Sequence, residues 1–169
     1  PPHQSSAASD VYKRQLVYFI ILMFIGGCAG STTCGIKIFR VQILYQFISN
    51  QLKKIIYPRG IFKIKYQNNN VDEKFMDSII SFIFLYILIF FVVTALLSLD
   101  GLNFITAISA AATSISNVGP GLGDIIGPNG SFSSLSDFSK WVLSAAMILG
   151  RLELFAILVL FIPSFWRKY

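Results

Sequence analysis

The stretch Ser116-Asn117-Val118-Gly119-Pro120-Gly121-Leu122-Gly123 decides the fold, because it places a glycine-rich loop between two long hydrophobic runs. These runs cover residues 79–99 and 141–165. The first has 21 residues without a charge. As a helix it measures roughly 31 Å, which is long enough to span a bilayer. The apolar segment before the loop, residues 104–115, has little more than half that length and is too short to cross.

A short helix that stops inside the membrane brings bare backbone to the depth of the hydrocarbon core. Irregular backbone is tolerated there only where it is buried in protein or lines a water-filled cavity. Carbonyl oxygens in such a loop can replace the hydration shell of a cation, and the partially negative end of the short helix favours the same charge. The sequence therefore predicts an all-α integral membrane protein with one complete helix–pore loop–helix repeat.

Composition and charge support a membrane protein. Apolar residues make up 54% of the 169, including 16 Phe, and they are gathered into long blocks. The net charge of +6 is uneven: eight Lys and Arg lie in residues 37–74, whereas residues 100–140 hold three Asp and one Lys. Short Lys/Arg-rich loops stay cytoplasmic, so we expect residues 37–77 and the C-terminus inside and residues 122–138 outside. The charge thus indicates membrane topology, with lipid and not nucleic acid as a partner.

A second glycine-rich stretch interrupts another apolar segment. Residues 16–25 are apolar but about half the length of a span. Ten small residues follow at 26–35, four of them Gly, and then a basic amphipathic segment over residues 36–48, with Pro58 and Gly60 as helix-ending signals. We predict a broken membrane helix with a functional loop inside the membrane; the alternative is a flexible linker.

The remaining segments give four smaller predictions. Residues 1–15 are polar and change abruptly into membrane sequence, so we expect a non-native scar or disorder there. Alternating apolar residues at 62–66, followed by an Asn-rich turn, predict a small cytoplasmic hairpin. The last helix is expected to begin near Trp141 and to end at Pro163. Arg151 lies near its middle, where a charge is costly and faces protein or water, so we expect it to bind a specific intramembrane partner.

In combination, four segments resemble the Trk/Ktr/HKT superfamily of potassium transporters, in particular the membrane subunit of bacterial Trk systems. They are GGCAGSTTCGIKIFR (26–40), SNVGPGLG (116–123), KWVLSAAMILGRLELF (140–155) and FIPSFW (161–166). Members carry four helix–pore loop–helix repeats in one chain, and each repeat gives one glycine-bearing segment to a pseudo-fourfold selectivity filter. The resemblance implies that this chain is a C-terminal fragment, with the first two and a half repeats missing.

The resemblance also implies a role for each segment. Residues 16–48 are the last helix of the third repeat, residues 49–77 a basic cytoplasmic connector, residues 78–166 the fourth repeat and residues 167–169 a cytoplasmic tail. The implied filter residues are Asn117, Val118 and Gly119, with K⁺ bound by backbone carbonyls near Gly119. The implied gate-stabilising residue is Arg151. The implied gating loop contains Gly26, Gly27, Gly30, Ser31, Thr32, Thr33 and Gly35.

The function implied by the resemblance is potassium uptake across the bacterial cytoplasmic (inner) membrane by a multi-pass protein. It implies K⁺ as the transported ion with no bound cofactor, a cytosolic nucleotide-binding regulatory subunit on the basic inside face, and a homodimer of the full-length protein.

Two other kinds of protein fit parts of the pattern. A short homo-oligomeric two-helix cation channel would also use a pore loop, although the broken helix before the repeat and the lack of a Thr-Val-Gly-Tyr-Gly filter count against it. A non-transporting membrane scaffold would use the glycine stretches as helix-packing motifs. The residues form no nucleophile–base constellation or metal cluster, so we do not expect an enzyme.

Overall fold

The computed structural model describes residues 15, 17–28, 31, 34–58, 60, 64–66, 69–122, 125–127, 130–151 and 166. Helix α1 covers residues 17–24. The further elements are α2 (Ile38–Ile56), β1 (Lys65–Tyr66), β2 (Asn69–Asn70), α3 (Glu73–Leu99), α4 (Phe104–Ser116), a 3₁₀ turn (Phe132–Ser134) and α5 (Asp137–Arg151). Apart from one hairpin of two short strands, the regular elements of the described residues are helices, as predicted.

Helix α3 has the length and composition of the membrane span that the uncharged run predicts. Among the described residues, one helix is long and apolar enough to cross a bilayer, Lys74–Leu99. Helix α4 has 13 residues and stops well short of that length. The predicted long helix and short helix are therefore both found. The second predicted span is described only as far as Arg151, and its remainder lies outside the described residues.

The core forms where α4 packs between α3 and α5. Small side chains on α4, including Ala107, Ala110 and Ala111, are fully buried. They pack with Leu97 of α3 and Ala146 of α5 in one apolar cluster. Because these alanines occupy little volume, the backbones of neighbouring helices can approach closely. Helices α3 and α5 thus pack on either side of α4, whose C-terminal end leads into the glycine-rich loop.

The C-terminal end of α3 and the N-terminal end of α5 are joined through Asp100. Its Oδ2 accepts hydrogen bonds from the Ser136 and Ser139 hydroxyls, the latter at 2.6 Å. The hydroxyl of Ser136 also caps α5 by accepting from the Ser139 N–H at 3.0 Å. This cap explains why α5 begins at Asp137, four residues before the expected start near Trp141.

On the predicted cytoplasmic side, α2 packs against the start of α3. Ile43, Met76 and Ile79 form a buried apolar cluster there. The helix runs through Ile48 to Ile56, so the segment assigned to the connector begins as helix. A hairpin is found where it was predicted, since β1 and β2 pair antiparallel with Tyr66 opposite Asn69. Asn69 and Asn70, which the sequence placed in the turn, form its second strand instead. Residues 61–63 and 67–68 of that prediction lie outside the described residues.

Candidate cation site at the pore loop

The loop begins with a sharp turn at the end of α4. Asn117 has φ 52° and ψ 42°, in the left-handed region. Its N–H donates to the carbonyl of Ser114 at 3.2 Å, and the Val118 N–H donates to the carbonyl of Thr113 at 3.0 Å. This pair of bonds is the Schellman motif that closes many helices. Asn suits the position because it visits the left-handed region more readily than other side-chain-bearing residues.

After the turn, the chain runs back along α4 and is held by two buried hydroxyls. The Gly119 N–H donates to Thr113 Oγ1 at 3.0 Å, and the Leu122 N–H donates to Ser109 Oγ at 3.1 Å. Ser109 and Thr113 are four residues apart and therefore lie on one face of α4. A third bond, from the Gly121 N–H to the Ile126 carbonyl at 2.9 Å, fixes the far end of the segment.

As a result, residues 117–122 have used all their backbone donors. Five N–H groups are bound within the protein, as given above, and Pro120 has none. In the described part of the chain, no donor hydrogen-bonds to the carbonyl oxygens of residues 117–121. Residues 117–120 are exposed. The loop therefore offers acceptors without donors, which is the chemistry that a cation requires and an anion does not.

Position 119 requires glycine because of its backbone conformation and not because neighbouring atoms leave no room for a side chain. Its φ is 112°, a conformation that residues with a side chain rarely adopt, and a Cβ built there would meet nothing within 4 Å. The space beside it is thus open. Among the described residues, no group of three or more His, Cys, Asp or Glu could hold a metal ion.

Three contacts fix the loop to its neighbours. The side-chain amide of Asn117 donates to the carbonyl of Met147 on α5 at 3.1 Å. Gly150 of the same helix lies so close to α4 that a Cβ there would overlap the carbonyl of Ile115. On the other side, the hydroxyls of Tyr86 and Ser116 are hydrogen-bonded at 2.8 Å. Both α3 and α5 therefore position the turn at Asn117.

The described ends of the stretch at 26–35, between α1 and α2, are paired with each other. The Gly26 N–H donates to the Ile36 carbonyl at 2.9 Å, and the Ile36 N–H donates to the Phe24 carbonyl at 3.0 Å, so the two ends are paired. Gly35 has φ +87°, and a Cβ on Gly26 would lie 2.8 Å from the carbonyl of Cys34.

The other predicted members of this loop are only partly described. The carbonyl of Gly27 accepts from the Ile38 N–H at 3.2 Å, and the Ser31 N–H donates to the Cys28 carbonyl at 3.0 Å. Gly30, Thr32 and Thr33 lie outside the described residues.

Arg151 is exposed at the end of α5. No hydrogen bond or ion pair joins it to another described residue, so the expected intramembrane partner stays a prediction. It directly follows Gly150, and it therefore stands next to the point where α5 and the end of α4 touch.

Sequence reasoning missed the side chains that hold the loop, chiefly Ser109, Thr113 and Tyr86. A signal for the first two was present, since hydroxyls four residues apart on a short helix before a glycine-rich loop are placed to bind its N–H groups. Tyr86 carried no such signal, because its partner Ser116 is 30 residues away.

Comparison with known proteins identifies the family of this chain. The TrkH family model, described as a cation transport protein, matches residues 5–168. The prediction of a scar or disorder over residues 1–15 lies, apart from residue 15, outside the described residues and stays a prediction. The Trk system potassium uptake protein TrkI of Halomonas elongata is 44% identical over 165 residues, covering 95% of this chain and 34% of that protein. TrkH of Escherichia coli K12 is 36% identical over 164 residues, covering 95% and 33%.

The chain spans about a third of the length of these curated relatives. Its fold matches the crystal structure of the potassium transporter TrkH from Vibrio parahaemolyticus with a TM-score of 0.80 and 36% identity, over 89% of this chain and 32% of that one. This match confirms the all-α membrane fold class. The relatives are named as potassium uptake proteins and not as enzymes. This agrees with the prediction that the chain is not an enzyme. The chain belongs to the TrkH family of cation transport proteins.

Proposed function

We propose that the chain is part of a potassium-uptake transporter and that residues 117–119 form one segment of its selectivity filter. The observation that carries this proposal is the loop whose N–H groups are all bound while the carbonyl oxygens of residues 117–121 accept from no described donor. The relatives, named as potassium uptake proteins, supply the ion.

In this proposal K⁺ exchanges hydration water for carbonyl oxygens beside Gly119. The hydroxyls of Ser109 and Thr113 hold the loop from behind, so its carbonyls need not rearrange when the ion arrives. The C-terminal end of α4 adds a partial negative charge next to the site. One such segment cannot enclose an ion. In this proposal the remaining three segments come from the rest of the complete protein. This agrees with the comparison, in which the chain covers about a third of the length of its relative TrkI.

We assign the loop at 26–35 as a gate on the same path. The pairing of its two ends and the close approach at Gly26 support this assignment over a flexible linker. Arg151, beside the contact between α4 and α5, is assigned to hold the gate closed. A cytosolic nucleotide-binding subunit on the basic inside face would release it. The complete protein would be a multi-pass homodimer of the bacterial inner membrane.

The test compares two glycines in the complete protein, expressed in cells that lack other K⁺ uptake. Gly119 and Gly101 both have positive φ, of 112° and 90°, and both have nothing within 4 Å of an added Cβ. Gly101 lies in the turn before α4, away from the proposed filter. We expect Gly119→Asp to abolish K⁺ uptake at normal membrane levels and Gly101→Asp to retain most of it. Normal uptake by Gly119→Asp would refute the filter assignment.

A further inference from the structure

A continuous line of side chains joins the glycine-rich loop at 26–35 to the turn at Asn117. It starts at Arg40, in the first turn of α2, whose guanidinium carbon lies 3.7 Å from the centroid of the Phe82 ring. Phe82 stacks on Tyr86, with centroids 6.1 Å apart and planes inclined by 30°. The Tyr86 hydroxyl then meets Ser116 Oγ at 2.8 Å. Ser116 directly precedes Asn117.

The other end of the loop reaches the same tyrosine. Phe24, which ends α1, packs edge-on against Tyr86 with centroids 6.1 Å apart and against Phe90 at 5.0 Å. Residues on both sides of the loop therefore contact one run of aromatic side chains on α3. Phe82 and Tyr86 are four residues apart and lie on the same helix face.

The arrangement is buried and chemically specific. Tyr86 is 1% exposed and Phe82 is 5% exposed. A leucine in place of Tyr86 would fill much of the same apolar space, whereas only the phenol also reaches Ser116. Its hydroxyl acts on the end of α4 and not on the ion, so its role is to position the turn that carries the loop carbonyls.

We propose that Tyr86 is the positioning residue of the filter turn, and that the Phe82–Tyr86 stack transmits the positions of Arg40 and Phe24, which flank the 26–35 stretch, to Ser116. This inference rests on the proposed function. The Ile36 N–H donates to the Phe24 carbonyl, and the Arg40 N–H donates to the Lys37 carbonyl, so the two flanks of the 26–35 stretch are held together and a shift of one reaches the other. The stack then shifts the Tyr86–Ser116 bond and with it the carbonyls of the filter turn.

The experiment measures K⁺ and Na⁺ uptake by the complete protein, with and without its cytosolic regulator. Tyr86→Phe removes the hydroxyl and keeps the stack, and Ser116→Ala removes the other half of the bond. Each is expected to change the K⁺-over-Na⁺ preference by about two- to tenfold, the range of one hydrogen bond. The double variant should match the singles. A loss of folded protein alone would lower uptake of both ions equally and leave the preference unchanged.

Two further variants test the link and its specificity. Arg40→Gln breaks the contact at the other end of the line. The fold-change in regulated uptake caused by Arg40→Gln is expected to differ by about twofold or more between the wild-type and the Ser116→Ala background. Tyr45→Phe is the matched control, because Tyr45 lies on α2 and is 72% exposed. It should leave both uptake and preference unchanged.

The outcomes separate this inference from the proposed function. If Gly119→Asp abolishes uptake while Tyr86→Phe and Ser116→Ala behave like Tyr45→Phe, the filter assignment stands and the role of Tyr86 is refuted. Independent, multiplicative effects of Arg40→Gln and Ser116→Ala would refute the transmission. If Gly119→Asp keeps normal uptake, the filter assignment and this inference fail together. Should Tyr86→Phe not reach the membrane, the smaller change Ser116→Ala decides the same question.

Discussion

Replacing Asn117 by alanine and by glycine separates the two forces that hold the pore loop. Alanine removes the amide that donates to the Met147 carbonyl and must adopt φ 52°. The hydrogen bond is worth about 0.5–1.5 kcal/mol, and the left-handed backbone costs alanine about 1–2 kcal/mol. Asn117→Ala should therefore lower the free energy of unfolding by about 1.5–3.5 kcal/mol. Asn117→Gly loses only the hydrogen bond, about 0.5–1.5 kcal/mol, because glycine adopts positive φ freely.

The assay is equilibrium unfolding of the purified complete protein in mild detergent, followed by tryptophan fluorescence. Asn50, inside α2, provides the matched control. There glycine should be the less stable replacement, by about 0.8–1 kcal/mol relative to alanine. The order of alanine and glycine is thus expected to reverse between the two asparagines. Equal stability of Asn117→Ala and Asn117→Gly would refute the left-handed turn and the loop geometry that depends on it.

Two other predictions concern the packing around the loop. Hydrogen bonds, chiefly from Ser136 and to a lesser extent from Ser139, lower the pKa of Asp100. The ionised Asp100 therefore stabilises the fold fully above its ordinary pKa, and this contribution is lost as the pH falls through the lowered pKa. The stability difference between wild type and Asp100→Asn should be greatest near neutral pH and shrink below about pH 4; a constant difference in thermal unfolding would contradict this. Gly150→Ala should push α5 away from the Ile115 carbonyl and destabilise the protein by about 1–3 kcal/mol. Ala145→Ser, on the exposed face of α5, is the control and should leave the stability unchanged. Unchanged thermal stability of Gly150→Ala would exclude the close approach.

The helices were predictable because each has a local cause. An uncharged run longer than a bilayer span specifies α3, and a run half that length followed by Gly119 and Gly121 specifies α4. Alternation predicted the hairpin at Tyr66, but the Asn-rich run misplaced its turn, since Asn69 and Asn70 pair with the first strand. The start of α5 was placed too late because the helix-capping Ser136 lies in a serine-rich run where several residues are equally suitable caps.

The contacts that shape the site were not predictable in the same way. Spacing suggests that Ser109 and Thr113 share a face, but the sequence does not say that the returning loop lies against that face. The bond between Tyr86 and Ser116 joins helices whose relative rotation depends on the packing of Ala107 and Ala110, which no single segment determines. Such tertiary contacts convert a glycine-rich loop into a surface of carbonyl oxygens.

The most direct test of the central claim is the position of a bound cation. Rb⁺ is a heavier substitute for K⁺, and its anomalous scattering can be located in crystals of the complete protein. We predict a peak beside the carbonyl oxygens of residues 117–121, bound by those oxygens without a carboxylate or imidazole. A peak coordinated elsewhere, with these carbonyls turned into the protein and hydrogen-bonded, would contradict the assignment.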